Sequence, residues 1–122
     1  MSIPVFRPCF DEAEVDAVRE VLMSGWVGPD EKVETLEQNF AEYVGTRFAL
    51  SMNSCSSALF VAMKIIDVED KEVVTTSQTF VSTNHAILQN GGKPVFADID
   101  PLTLNIDPVS IADRVTDDTA AI

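Results

Sequence analysis

The sequence is poor in cysteine, histidine and basic residues, and each shortage argues against a class of function. The chain has two cysteines, Cys9 and Cys55, and one histidine, His85, and their spacing matches neither a metal site nor a disulfide framework. We therefore expect reduced thiols and no metal site. Eight basic residues against 20 acidic ones give a net charge of −12. That charge argues against binding to nucleic acid or to anionic membranes, because both would repel the chain.

Long apolar runs and targeting signals are also missing. No run is long enough to span a bilayer, and residues 1–7 lack the segments of a signal peptide. We therefore expect a soluble cytoplasmic protein. The 122 residues, 46% of them hydrophobic, suffice for one small domain with a core.

Two amphipathic helices are predicted in the first 45 residues. The first begins at the N-cap Asp11 and ends at Gly25, and the second ends at Gly45. The loop between them contains Trp26, the only tryptophan of the chain. Two interpretations of Trp26 stay open: an aromatic that faces a substrate or a subunit, and a plug at the edge of the core.

The rest of the chain alternates strands with helices. Strands are predicted at Arg47–Met52, Glu72–Thr76, Lys93–Asp100 and from residue 119. Helices are predicted after residues 53–57 up to about Ile66, at residues 80–88, and from Pro108 to about residue 115. This alternation predicts an α/β fold with a mostly parallel sheet. Ligands of such sheets bind at the carboxyl ends of the strands, where residues 53–57 and Phe80 fall.

Asn53–Leu59 is the segment with the strongest functional signal. Small hydroxylic residues here precede an apolar helix, whose first N–H groups and dipole favour an anion. The small side chains of Cys55, Ser56 and Ser57 would let a phosphate approach closely. The alternative is an ordinary serine N-cap. For Phe80, the alternatives are a ligand-facing ring and a buried core aromatic.

Four segments together resemble the N-terminal part of the DegT/DnrJ/EryC1/StrS aminotransferases, pyridoxal-phosphate enzymes that aminate nucleotide-linked keto-sugars. They are Ser24–Val27 with Leu36 and Glu37, Asn53–Leu59, Thr79–Asn84, and Gly92–Pro101 with Thr103–Asp107. The resemblance implies a three-layer α/β/α fold with a mostly parallel sheet. Residues 1–122 would be the N-terminal part of the cofactor-binding large domain of a fold-type I aminotransferase, with pyridoxal 5′-phosphate as cofactor.

The resemblance assigns cofactor contacts to three residues. Cys55 and Ser56 stand where the family usually has Gly-Thr, which holds the cofactor phosphate through backbone N–H groups and a hydroxyl. Cysteine can replace glycine if this position needs no positive φ. Phe80 matches the aromatic that stacks on the pyridine ring. Asp98 and Asp100 match acids of the family, and we interpret them as structural residues of a strand end and a turn.

The family's Schiff-base lysine and its acid partner come later than these 122 residues. None of the four lysines stands in a matching segment: Lys32, Lys64, Lys71, Lys93. We therefore expect no catalytic residue here and interpret the chain as the N-terminal part of a longer enzyme, inactive alone. The resemblance implies a homodimer, with Trp26 facing a substrate or a partner subunit. Its substrates would be a nucleotide-linked keto-sugar and an amino donor such as glutamate.

Two other functions stay open. Some relatives of this family dehydrate the sugar with the same cofactor and have histidine in place of the lysine. A non-catalytic α/β module that binds a phosphorylated small molecule or another chain would also fit the acidic charge. The sequence identifies neither the sugar nor the nucleotide.

Overall fold

The computed structural model describes residues 3–4 and 6–122. They divide into two compact units, one ending at Ser51 and the other beginning at Met52. Within the described residues, none of the helices combines the length and the apolar character needed to cross a membrane.

The first unit contains helices α1 (Glu12–Ser24) and α2 (Glu31–Val44). The predicted ends are confirmed. Asp11 accepts a hydrogen bond from the Ala13 N–H at 2.8 Å, and Gly25 and Gly45 end the helices with φ of 77° and 75°. This left-handed conformation is one that glycine adopts without strain. The apolar faces of both helices stay exposed in this unit: Val15, Val18, Leu22, Leu36, Phe40 and Tyr43.

The strand predicted at Arg47–Met52 is wrong, because these residues form no strand. The Ser51 N–H and hydroxyl instead donate to one carboxylate oxygen of Glu37, on α2, at 2.7 and 2.8 Å. The hydrogen bond from the Ser51 N–H, and to a smaller extent the one from its hydroxyl, hold the pKa of Glu37 below its ordinary value. The N–H that a neighbouring strand would have used is thus bound by a side chain.

The second unit has the predicted α/β order and a parallel sheet. Its elements are α3 (Cys55–Ile66), β1 (Glu72–Thr75), α4 (Ser82–Gln89), β2 (Lys93–Phe96), α5 (Pro108–Ala112) and β3 (Thr119–Ala121). The strand order is β2-β1-β3. Both pairings are parallel, with Val74 opposite Val95 and Glu72 opposite Thr119. The α/β prediction with a parallel sheet is therefore confirmed.

Strand β2 ends four residues earlier than predicted, because the chain turns into a short hairpin after it. Ile99 pairs antiparallel with Ile106 across this hairpin. The Asp100 carboxylate accepts the N–H groups of Thr103 and Leu102, both at 2.8 Å, and these bonds lower its pKa. These contacts agree with the turn role expected of Asp100. Helix α5 is likewise shorter than predicted, ending at Ala112.

The core of the second unit forms around Val68, Val73 and Ile87. Gly92 lets the end of α4 approach the start of β2. A Cβ at Gly92 would lie 2.9 Å from the Ile87 Cγ2 and 3.2 Å from the Ile87 carbonyl oxygen, so a side chain there would force the packing apart. Close packing of α4 on the sheet places the loop before α4 at the carboxyl end of β1.

Candidate functional site

Helix α3 begins inside the segment that the sequence singled out. Its N-cap is Ser54, whose Oγ accepts the Ser57 N–H at 3.1 Å and whose hydroxyl donates to the Ser57 Oγ at 3.0 Å. The Ala58 N–H donates to the Ser54 carbonyl at 3.1 Å. The ordinary N-cap interpretation is therefore correct for Ser54, and it accounts for the third N–H of the helix.

The first two N–H groups of α3, those of Cys55 and Ser56, have no hydrogen-bond partner within the described part of the chain. Residues at these positions have no partner within their own helix, and neither group donates a hydrogen bond to any other described residue. Both residues are exposed. Two free donors at the positive end of the helix dipole attract an anion such as a phosphate group. The cap at Ser54 and an anion site at Cys55 and Ser56 are therefore compatible.

Cys55 meets the condition for replacing the family's glycine. The non-glycine residues with positive φ in the described chain are Asp67, Asp70 and Leu104, so Cys55 is not among them. Because the backbone here is not left-handed, a side chain adds no strain. The Cys55 N–H can approach a phosphate as a glycine N–H would.

A surface recess of about 400 Å³ opens beside this helix start. Ser56 and Ser57 line it together with Phe60, Val61 and Gln89. Its volume falls in the range of small-molecule sites. Phe80 is not one of its lining residues, so the structure does not bring the predicted phosphate contacts and the predicted ring contact together in this recess.

Phe80 lies in the loop between β1 and α4, in the same unit as Ser56. Its side chain is 76% exposed, so the core-aromatic alternative is wrong. The Phe80 carbonyl accepts the Thr83 N–H at 3.0 Å, which places the residue at the entrance to α4. An exposed ring at the carboxyl end of β1 is available to stack on a flat ligand.

Trp26 lies in the first unit, in the loop between α1 and α2. Its indole N–H donates to the Pro29 carbonyl at 3.3 Å. The ring also covers Gly28, where an added Cβ would lie 3.0 Å from the Trp26 Cζ2. With 61% of its surface exposed, Trp26 does not plug the core of its unit. Its free face leaves the substrate and subunit interpretations open.

Lys64 and Lys71 lie at or beyond the C-terminal end of α3, not at its start. Lys64 is nine residues after Cys55 on the same helix, about 13 Å along the axis. The Lys71 Nζ donates to the Asp67 carbonyl at 3.0 Å, beyond the other end of α3. Lys32 pairs with Glu20 in the first unit, and Lys93 is the exposed first residue of β2.

The sequence interpretation missed one residue of this region, Asn84. Its side-chain amide binds both Thr75 and Thr76, at the end of β1. Asn84 is three residues before the buried Ile87 and therefore lies on the same, inward face of α4. An amide on an inward face needs hydrogen-bond partners, and this is the sequence feature that could have identified Asn84.

Comparisons with known proteins extend this picture. The DegT/DnrJ/EryC1/StrS aminotransferase family model matches residues 8–122. Spore coat polysaccharide biosynthesis protein SpsC of Bacillus subtilis is 43% identical over 98% of this chain and 31% of SpsC. The aminotransferase of Psychrobacter cryohalolentis is 36% identical and superposes with a TM-score of 0.87 over 92% of this chain and 29% of that protein.

A third similar protein is a dehydratase. The E. coli GDP-4-keto-6-deoxy-D-mannose-3-dehydratase with bound hydrated pyridoxal phosphate is 28% identical. It superposes with a TM-score of 0.88 over 97% of this chain and 32% of its own length. The chain thus spans about a third of the length of the proteins it matches. These similarities confirm the expected fold class and family resemblance.

Proposed function

Because the chain belongs to the DegT/DnrJ/EryC1/StrS aminotransferase family, we propose that it is the N-terminal part of an enzyme that transfers an amino group from glutamate to a nucleotide-linked keto-sugar. The family match supports amino transfer. The similarity to a polysaccharide biosynthesis protein and to a dehydratase of a GDP-linked keto-sugar supports the substrate class. In this proposal residues 1–122 belong to the large, cofactor-binding domain.

We propose pyridoxal 5′-phosphate as the cofactor, held by Cys55, Ser56 and Phe80. The N–H groups of Cys55 and Ser56, which donate to no other described residue, carry this assignment because they fit a phosphate group. The Ser56 hydroxyl would add one hydrogen bond, and the exposed Phe80 ring would stack on the pyridine ring. When bound, the cofactor supplies a ring that accepts electrons during amino transfer.

Titration of the ¹⁵N-labelled chain by NMR tests the cofactor site. Inorganic phosphate probes the anion site alone, and pyridoxal phosphate probes the whole site. We expect both to shift the Cys55 and Ser56 amide signals, and only pyridoxal phosphate to shift Phe80. Pyridoxal without phosphate is the control and should bind more weakly. Shifts scattered over the surface, with none at residues 55 and 56, would contradict the assignment.

Dehydration of the sugar is a second candidate, favoured by the similarity to the E. coli dehydratase over nearly the whole chain. The two reactions would share the phosphate site and differ in their products. For the full-length enzyme of this proposal, amino transfer predicts an aminated sugar and one 2-oxoglutarate for each glutamate consumed. Dehydration predicts loss of a sugar hydroxyl as water and no aminated sugar.

We propose that the enzyme is a homodimer and that the Trp26 loop faces a partner subunit or the substrate. The exposed apolar faces of α1 and α2, with Val18 and Leu36 among their residues, support association, because exposed apolar area of this kind marks interfaces. Sedimentation should therefore show self-association of the chain, reduced by Trp26→Ser. A well-behaved monomer that binds little apolar dye would count against this proposal.

A further inference from the structure

Within the described residues, the hydrogen bonds between the carboxyl end of β1 and helix α4 all come from one side chain, that of Asn84. Its Oδ1 accepts the Thr75 hydroxyl at 2.8 Å, and its Nδ2 donates to the Thr76 carbonyl at 3.2 Å. A carbonyl oxygen can only accept, so this contact also establishes which end of the amide faces Thr76. The oxygen and the nitrogen of the amide thus each hydrogen-bond to one of two consecutive residues, Thr75 and Thr76.

The contact with Thr75 gives a buried hydroxyl at the end of β1 its hydrogen-bond partner. Thr75 is 7% exposed, and its carbonyl already accepts the Ala97 N–H at 2.8 Å from the β2 side. Its hydroxyl would be buried without a partner if Asn84 were replaced by an apolar residue, and such burial is unfavourable. This contact alone would make Asn84 a structural residue.

The contact with Thr76 acts on a different part of the chain, the loop of residues 76–81 that presents Phe80. Helix α4 has no side-chain cap, because its N-cap residue is Val81. Among the described residues, the other hydrogen bonds of the loop's side chains are local ones, from the Gln78 N–H to the Thr76 Oγ1 and between the hydroxyls of Thr79 and Thr83. Asn84 therefore links the helix after the loop to the strand end before it.

We propose that Asn84 is a positioning residue for the cofactor site: by binding helix α4 to Thr75 and Thr76, it sets the path of the 76–81 loop and keeps the Phe80 ring outward. The part of this inference that concerns the cofactor rests on the proposed function. The part that concerns the loop does not. If the role of Asn84 were purely structural, replacing it would destabilise the second unit and leave the 76–81 loop unchanged.

Two variants separate these roles. Asn84→Leu removes both hydrogen bonds, and the double variant Thr75→Val/Asn84→Leu also removes the buried hydroxyl that would lack a partner. We expect the single variant to melt at a lower temperature and the double variant to recover most of that loss. In both, amide exchange at residues 77–81 should be faster, since the Thr76 carbonyl is no longer held. Pyridoxal phosphate should bind about fivefold more weakly to both, as expected if Phe80 stacking is lost.

Control variants at Asn39 and a milder variant of Asn84 show whether the effects are specific to Asn84. Asn39→Leu makes the same change on the exposed surface of α2 and should alter neither exchange at 77–81 nor affinity. If Asn84→Leu does not fold, Asn84→Asp keeps the acceptor for Thr75 and replaces only the donor to Thr76. It should loosen the same loop, and Asn39→Asp controls for its added charge.

Three results would overturn the inference. In the first, the double variant recovers both its melting temperature and wild-type exchange at 77–81, so that Asn84 only partners a buried hydroxyl. In the second, the loop loosens and the affinity does not change. In the third, the wild-type chain binds no pyridoxal phosphate and exchange at 77–81 is unaffected in all variants. Absence of binding with faster exchange would contradict the proposed function alone and support the loop role of Asn84.

Discussion

Ser54 and Ser56 have the same side chain two residues apart, and the structure gives them different environments. The Ser54 Oγ caps helix α3, whereas the Ser56 Oγ makes no hydrogen bond within the described residues. Ser54→Ala should therefore lower the stability of the second unit by about 1 kcal/mol. Ser56→Ala should leave the melting temperature unchanged and weaken pyridoxal phosphate binding by about 1 kcal/mol, because the backbone donors remain. Thermal denaturation and NMR titration measure the two effects. Equal affinities of Ser56→Ala and the wild type would contradict the proposed contact of the Ser56 hydroxyl with the phosphate.

Phe80 provides the second prediction at the scale of single residues. Because its side chain is mostly exposed, Phe80→Leu should change the melting temperature little. It should weaken pyridoxal phosphate binding by about 1 kcal/mol, the contribution of ring stacking beyond buried area. Phe80→Tyr keeps an aromatic ring and should bind as the wild type does. A large loss of stability with unchanged affinity would show that Phe80 packs and does not bind.

At this scale the sequence predicted the residues whose environment is local. The positions of Cys55 and Ser56 at a helix start follow from small hydroxylic residues before an apolar run, and the structure places them there. The exposure of Phe80 could not be derived from its residue type, since phenylalanine is usually buried. Asn84 was missed because its partners, eight and nine residues earlier, lie on another element.

Among the elements, helix ends were predictable and one strand was not. Asp11, Gly25 and Gly45 end helices through contacts within a few residues, so their residue types suffice. A strand exists only if another strand takes up its backbone groups, and that partner lies outside the segment. Arg47–Met52 has strand-like residues, but the Ser51 N–H donates to the Glu37 carboxylate instead of to a strand. No pattern in the sequence predicts this contact.

The contact between Glu37 and Ser51 predicts a pH dependence within the first unit. Hydrogen bonds from Ser51 depress the folded-state pKa of Glu37, so the contact contributes stability above the ordinary glutamate pKa. That contribution should be lost as the pH falls from the ordinary value through the lower folded-state value. The Ser51 amide signal should shift over this acidic range and follow the titration of the Glu37 carboxylate.

Two variants check this assignment. Glu37→Gln should abolish the shift of the Ser51 signal, because the amide does not titrate. Glu34→Gln makes the same change one turn earlier on α2 and should leave the shift in place. A Ser51 signal that titrates in the Glu37→Gln protein would show that another group is responsible.

For the whole molecule, the alternation of strand and helix predicted the parallel α/β unit because each element there is signalled by its own residues. The division of the chain at Ser51 was not predicted. Exposed apolar helix faces were expected, but the amphipathic pattern did not identify which helices would carry them, because it shows which side is apolar and not what covers it.

The final prediction concerns the activity of the 122 residues as a whole: we expect this chain alone to bind the cofactor and not to transfer amino groups. Amino transfer needs an amine held at a fixed place, and such positioning lowers barriers by on the order of 7 kcal/mol or more. The nearest lysine in sequence, Lys64, lies in the last turn of α3, about 13 Å along the axis from the Cys55 N–H. Although helical side chains tilt toward the N-terminus, this distance exceeds the reach of a lysine side chain, so Lys64 cannot place its amine at the start of its own helix.

Borohydride reduction after incubation with pyridoxal phosphate, followed by mass spectrometry, shows which lysines the cofactor aldehyde reaches. We expect slow labelling spread over Lys32, Lys64, Lys71 and Lys93, with no exchange of amino groups between glutamate and a keto-sugar nucleotide. Lys64→Arg should leave the labelling of the other three unchanged. Stoichiometric labelling of one lysine together with amino-group exchange would show instead that these 122 residues already contain a catalytic lysine, because only a residue held at the aldehyde reacts selectively and turns over.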